Sequence, residues 1–197
     1  MNAKPPKSET PVKRFLLRSL EEHLQTIQAI LASEMGSVEA SGQAICQALR
    51  AGGKILLCGN GGSAADAQHI AAELVGRYEK QRRAWPAIAL TTDTSALTAL
   101  SNDYGYQELF ARQIRALATA GDVLIAISTS GKSPNVIRGA ETARELGCTT
   151  IALTGASGEP LSSVCDLAVV VPSNRTSRVQ EAHITIGHLW CEMVDAL

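Results

Sequence analysis

Aromatic side chains are scarce: two Phe, two Trp and three Tyr make up 4% of the 197 residues. Because 45% of the chain is nevertheless hydrophobic, the core is expected from Ala, Leu, Ile and Val, which lets helices pack closely on a sheet. An excess of either charge is also missing. The 18 Lys and Arg stand against 19 Asp and Glu, a formal charge of -1, so no sequence-wide attraction to nucleic acid or to an anionic membrane is expected. A small-molecule partner fits better. No apolar run is long enough to span a bilayer, and Lys4-Pro5-Pro6-Lys7 lacks the apolar stretch of a secretory signal that would follow it. The cysteines Cys46, Cys58, Cys148, Cys165 and Cys191 are odd in number and contain no Cys-x-x-Cys pair. That pattern argues against a disulfide framework and a thiolate zinc knuckle, and for free thiols in a reducing cytoplasm. The length suits one domain, expected over residues 11–197 after a disordered tail at residues 1–10.

Apolar residues at Phe15, Leu16, Leu20, Leu24, Ile27 and Leu31 recur at helical spacing after Pro11, and a second helix is expected from Ser37 to Arg50, ending at Gly52-Gly53. These two helices precede the first strand and could supply an oligomer interface. Five short apolar runs follow: Lys54 to Cys58, Ala87 to Leu90, Val123 to Ile127, Thr150 to Leu153 and Leu167 to Val171. Their composition marks buried parallel strands. Helices are expected between them at about Ala64–Leu74, Gln107–Ala118 and Pro134–Leu146, with a closing helix from about Arg178. The class is α/β: a three-layer αβα sandwich around a five-stranded parallel sheet, with extra N-terminal helices.

Two strand-to-helix junctions have the chemistry of an anion site. In Cys58-Gly59-Asn60-Gly61-Gly62-Ser63, glycines allow backbone amides to approach an anion at a helix start. Gly59-x-Gly61-x-x-Ala64 also matches a dinucleotide fingerprint, which expects an acid about 20 residues on. The acid after the second strand is Asp93, well beyond that spacing, so a nucleotide cofactor is discounted. In Ser128-Thr129-Ser130-Gly131-Lys132-Ser133-Pro134, four hydroxyls meet one helix start, more than a cap requires. Ser63 and this segment are therefore expected to form one phosphate site.

His69 and Glu73 stand four apart on the helix leaving the glycine loop, so both lie on one face bordering that site. The last helix carries Gln180, Glu181, His183 and His188 among apolar residues. Gln180 and His188 are offset by roughly 80°, compatible with one side of a helix. Imidazole together with amide or carboxylate oxygen suits a divalent metal such as zinc. Spacing does not decide between His183 and His188, either of which could be a core side chain.

The segments CGNGGSAADAQHIAAELVGRY, SNDYGYQELFARQI, GDVLIAISTSGKSPNVI and RVQEAHITIGHLW resemble the phosphoheptose isomerase branch of the SIS family, from Lys54 to the end of the chain. The resemblance implies that Asn60, Gly61, Gly62, Asn102, Asp103, Ser128, Thr129, Ser130 and Ser133 contact substrate, with Ser63 an added phosphate contact. It places His69, Glu73, Gln180 and His188 around zinc, which selects His188 over His183. Glu73 and His188 are implied in proton transfer, and Glu73 and Gln180 are counted among the substrate contacts as well. A homotetramer with active sites near subunit boundaries is also implied. The implied reaction is aldose-ketose isomerisation of sedoheptulose 7-phosphate to D-glycero-D-manno-heptose 7-phosphate through an enediol. Two rivals are a sugar-phosphate-sensing module and an SIS relative that binds the bacterial replication initiator. That relative lacks the acid and histidine standing here as Glu73 and His188.

Overall fold

The computed structural model describes residues 10–197. The tail expected at residues 1–10 therefore lies outside the described residues except for Thr10. That residue belongs to the first helix: its hydroxyl accepts the Lys13 amide at 3.2 Å and caps α1 (Pro11–Ser33), with Pro11 in the first turn. α2 (Met35–Arg50) follows after Glu34 alone.

The sheet comprises β1 (Ile55–Gly59), β2 (Ala87–Ala89), β3 (Val123–Ser128), β4 (Thr149–Gly155) and β5 (Leu167–Val171), all parallel in the order β2-β1-β3-β4-β5. β1 and β3 are buried along their whole length, as their apolar sequences require, while β2 and β5 form the partly exposed edges. Alternate residues of each strand feed two separate cores. Ile55, Leu57, Ile125 and Leu153 meet α1, α2, α3 (Gly62–Val75) and α8 (Thr176–Asp195). Leu56, Cys58, Leu124 and Ala152 meet α5 (Leu109–Leu117), α6 (Pro134–Glu145) and the short α7 (Leu161–Val164). These two helix layers enclose the sheet, which is the expected three-layer arrangement.

Two helices were not foreseen from the sequence, the four-residue α7 and a longer one before α5. α4 (Thr94–Tyr104) starts at Asp93, whose carboxylate accepts the Ala96 amide at 2.9 Å. It buries no residue fully and packs on the core only through the partly buried Leu97 and Leu100, a stripe too short for periodicity to reveal it. A single 3-10 turn, Tyr106–Glu108, then leads into α5, which shortens the helix expected from Gln107.

β1 and β3 are adjacent in the sheet, yet α3 leaves β1 toward one face and α6 leaves β3 toward the other. The two loops thus part at a topological switch point, where open parallel sheets form a crevice at their carboxyl ends. Both sequence segments with anion-binding character lie there.

Candidate active site

A pocket of about 450 Å³ opens at this crevice, lined by Asn60, Gly62, Ser63, Thr129, Thr176, Ser177 and Gln180. The first helical turns of both α3 and α8 contribute to it, so the positive ends of two long helices border the space, although the Ser63 and Ala64 amides of α3 already donate to the Asn60 and Gly61 carbonyls at 3.1 and 3.0 Å. Ser63 is buried. Gly62 is closely approached by Gln180: a Cβ there would stand 3.0 Å from the side-chain amide nitrogen, which would have to give way.

The hydroxyl loop is held from within. Ser128 Oγ and Ser133 Oγ are 3.1 Å apart, Ser130 Oγ accepts the Lys132 amide at 3.2 Å, and Thr154 Oγ1 donates to the Ser128 carbonyl at 2.7 Å. Gly131 has φ +67, and a Cβ there would fall 1.9 Å from the Gly158 carbonyl oxygen. No other residue fits that bend without moving backbone. Thr129 lines the pocket, whereas Ser128 lies beneath the surface and Ser130 points to solvent.

Glu73, His69 and His188 come together beside this pocket, on α3 and α8. The two imidazole Nε2 atoms face each other at 3.0 Å, and Glu73 Oε1 is 3.4 Å from the His69 Nε2. Tyr78 flanks His188 with ring centroids 5.3 Å apart. The cluster is open: the His69 side chain is 49% exposed and that of Glu73 25%. Gln180 is directed differently, donating to Asp66 Oδ1 at 3.2 Å and toward the Gly62 carbonyl at 3.5 Å. Burial raises the Asp66 carboxyl, opposed by the Gln180 hydrogen bond and the nearby His69. Its Oδ2 is buried without a partner. Among the described residues, no three His, Cys, Asp or Glu side chains stand close enough to hold a metal ion as they are.

The meeting of α3 and α8 is secured at their far ends by residues that sequence reasoning passed over. Arg82 donates to Asp195 at 2.6 Å and to the terminal α3 carbonyls of Glu73 and Leu74 at 2.8 and 3.0 Å. Asp195 also accepts the Glu79 and Lys80 amides. Burial alone would raise its carboxyl, but these donors hold it below the usual range. Distant charges meeting across a loop leave no periodic signature, so the staple could not be read from spacing.

His183 lies elsewhere. It is fully buried, and its ring nitrogens come near the Thr154 main chain without a hydrogen bond of good geometry. Burial lowers its pKa to about 4, so it is a neutral core side chain at pH 7. Asn102 and Asp103 are exposed at the end of α4, where the Asn102 amide donates to Asp103 at 2.8 Å, and neither lines the pocket. Thr176 and Ser177, which do line it, were not singled out from sequence because two hydroxyls at a helix start look like ordinary capping residues.

Residues 20–155 match the model of the SIS domain family. The phosphoheptose isomerase of Aliarcobacter butzleri is 52% identical over 184 residues, 93% of this chain and 97% of that protein. Among solved structures, the phosphoheptose isomerase of Neisseria gonorrhoeae superposes with a TM-score of 0.89 at 42% identity, covering 94% of this chain and 100% of that one. The phosphoheptose isomerase of Francisella tularensis does so with 0.92 at 34% identity, covering 95% and 100%.

Proposed function

The chain belongs to the phosphoheptose isomerases of the SIS domain family and converts sedoheptulose 7-phosphate to the aldose heptose 7-phosphate for heptose biosynthesis, and from that premise we propose how its residues divide the work. The observation that carries the reading is the convergence of Glu73 and His188, from different helices, beside a crevice with anion-binding chemistry.

The phosphate belongs at the switch point. There the Gly61 and Gly62 amides and the Ser63 and Thr129 hydroxyls offer donors from two sides and Thr176 and Ser177 add a third, while Ser128, Ser130 and Ser133 would turn toward the anion from their present partners or from solvent. The sugar then extends toward α3 and α8, where Asn60 and Gln180 are further substrate contacts, while Asn102 and Asp103, on α4 outside this pocket, would join from another copy of the chain. Isomerisation moves a proton between adjacent carbons while the carbonyl exchanges with a hydroxyl. One group must accept the carbon-bound proton and another must protonate oxygen. The Glu73 carboxylate serves as the base. His188 can carry a proton on the nitrogen that faces the cluster and serves as the acid.

A divalent metal such as zinc fits the donor set. The two imidazole nitrogens at 3.0 Å share one proton as they stand and would spread to admit an ion at zinc–nitrogen bonds of about 2 Å, with Glu73 adding a carboxylate oxygen. His69, Glu73, Gln180 and His188 would hold the ion, which supplies Lewis-acid polarisation of the substrate oxygens when bound.

α8 lies beyond the residues matched by the family model, but it buries Ile186, Trp190 and Val194 in the core. We therefore take 11–197 as one domain. The α1 stripe supports a homotetramer with sites near subunit boundaries: Val12, Phe15, Leu16, Leu20, Leu24 and Leu31 are each more than half exposed in the single chain. Five free thiols, four of them buried, support a cytoplasmic setting. The deciding experiment follows conversion of sedoheptulose 7-phosphate before and after chelation and zinc re-addition, with bound metal measured in each sample. Full turnover by metal-free protein would overturn the metal assignment. Absence of turnover under every condition would overturn the division of roles.

A further inference from the structure

We propose that Asn135, with Tyr106, is a positioning residue that sets the gap between the two phosphate-binding loops. This inference rests on reading the switch-point pocket as the sugar-phosphate site.

Asn60 lies on the loop leaving β1, and Asn135 lies in the first turn of α6, on the far side of the crevice. Their amides pair reciprocally. Asn60 Nδ2 donates to Asn135 Oδ1 at 2.8 Å, and Asn135 Nδ2 donates to Asn60 Oδ1 at 2.9 Å. Asn135 is 1% exposed, and its Oδ1 also accepts the Val136 amide at 3.0 Å. From the solvent side, the Tyr106 hydroxyl donates to Asn60 Oδ1 at 2.8 Å. Among the described residues, no other side-chain hydrogen bond links the glycine loop with the hydroxyl loop.

The two loops head helices packed into different cores on opposite faces of the sheet. The β1–β3 ladder, paired up to Gly59 and Ile127, fixes the strand ends, but neither core dictates how far apart the loops stand beyond them. A planar amide pair does so, because both of its bonds form together only at one separation and orientation. Phosphate donors on both sides must be placed to a fraction of an ångström for the anion to be gripped from two directions. The pairing also restricts Asn60. Its Oδ1 already receives two donors, so its side chain has one amide hydrogen left for a ligand.

The test replaces the amide by a carboxyl. In Asn135→Asp at about pH 8, the carboxylate has no proton to give Asn60 Oδ1 and faces it with negative charge. KM for sedoheptulose 7-phosphate should rise about tenfold over the natural protein, with kcat changing less. Burial raises the pKa of such a carboxyl. On acidification to about pH 5.5 the protonated group again offers one donor and one acceptor, and the KM ratio should narrow to about twofold. A ratio near one at both pH values, or a large ratio that does not narrow, overturns the inference. Tyr106→Phe alters an exposed side chain and should raise KM about two- to fivefold; an unchanged KM removes Tyr106 from the clamp. If the natural protein bound no sugar phosphate at all, the underlying pocket reading would fail and this inference with it.

Discussion

The two ends of the substrate groove are built by different means. At the phosphate end, glycines and short hydroxyl side chains are fixed by internal hydrogen bonds on strands that are wholly buried. At the reaction end, long side chains of α3 and α8 stand half open to solvent, and Gln180 is turned aside to Asp66. The contrast teaches that anchoring is a property of the folded backbone, available before any ligand arrives. The reactive cluster is instead assembled from side chains whose final arrangement depends on what binds between them.

The sharpest way to break this comparison is at the reaction end. Glu73→Gln keeps the shape and removes the base, so kcat for sedoheptulose 7-phosphate should fall about 10²- to 10⁴-fold while KM moves little. A loss confined to KM would make Glu73 a binding group. At the anchoring end, Gly131→Ala places a methyl group against the Gly158 carbonyl at a positive φ. Thermal or denaturant unfolding should show a loss of about 2–4 kcal/mol, because backbone must move. Wild-type stability with an unchanged KM would show the hydroxyl loop to be far softer than described.

A titration probes the support beneath that loop. His183 is neutral in the fold with its pKa lowered to about 4, whereas the unfolded chain takes up a proton near pH 6.5. Between those values the unfolded state binds more protons, so stability is complete above about pH 6.5 and falls as pH drops toward 4. This group alone costs about 3 kcal/mol over that window. Asp195, whose pKa is lowered, also loses its contribution in acid, so the informative comparison is with His183→Leu. Its unfolding free energy should decline less steeply between pH 7 and 5, and an identical slope would show that His183 does not carry the effect. The smallest change expected is Ser133→Ala, which removes one hydroxyl from a site with several donors. KM should rise about three- to tenfold with kcat retained; a matching fall in kcat would place Ser133 in the chemistry.

Much of this architecture was legible from residue pattern because burial leaves strong marks. The five strands read as short apolar runs, and the glycine and hydroxyl segments announced themselves at strand ends. α4 escaped notice since only Leu97 and Leu100 pack it on the core, and both only in part. The Arg82–Asp195 staple and the Asn60–Asn135 pair escaped because they join residues 113 and 75 positions apart. Choosing between His183 and His188 was beyond helical periodicity, which cannot say which face of α8 meets the core.

The order of small, apolar and hydroxyl residues along the chain determined the parallel sheet, the loops at its carboxyl edge and the pairing of His69 with Glu73 on one helix, since each depends on near neighbours or on simple alternation. Tertiary structure decided that α8 brings His188 rather than His183 to that pair, that Gln180 meets Asp66, and that two loops on opposite faces are tied by one amide pair. Those outcomes depend on where distant segments come to rest, and that is set by packing of the whole core rather than by local sequence.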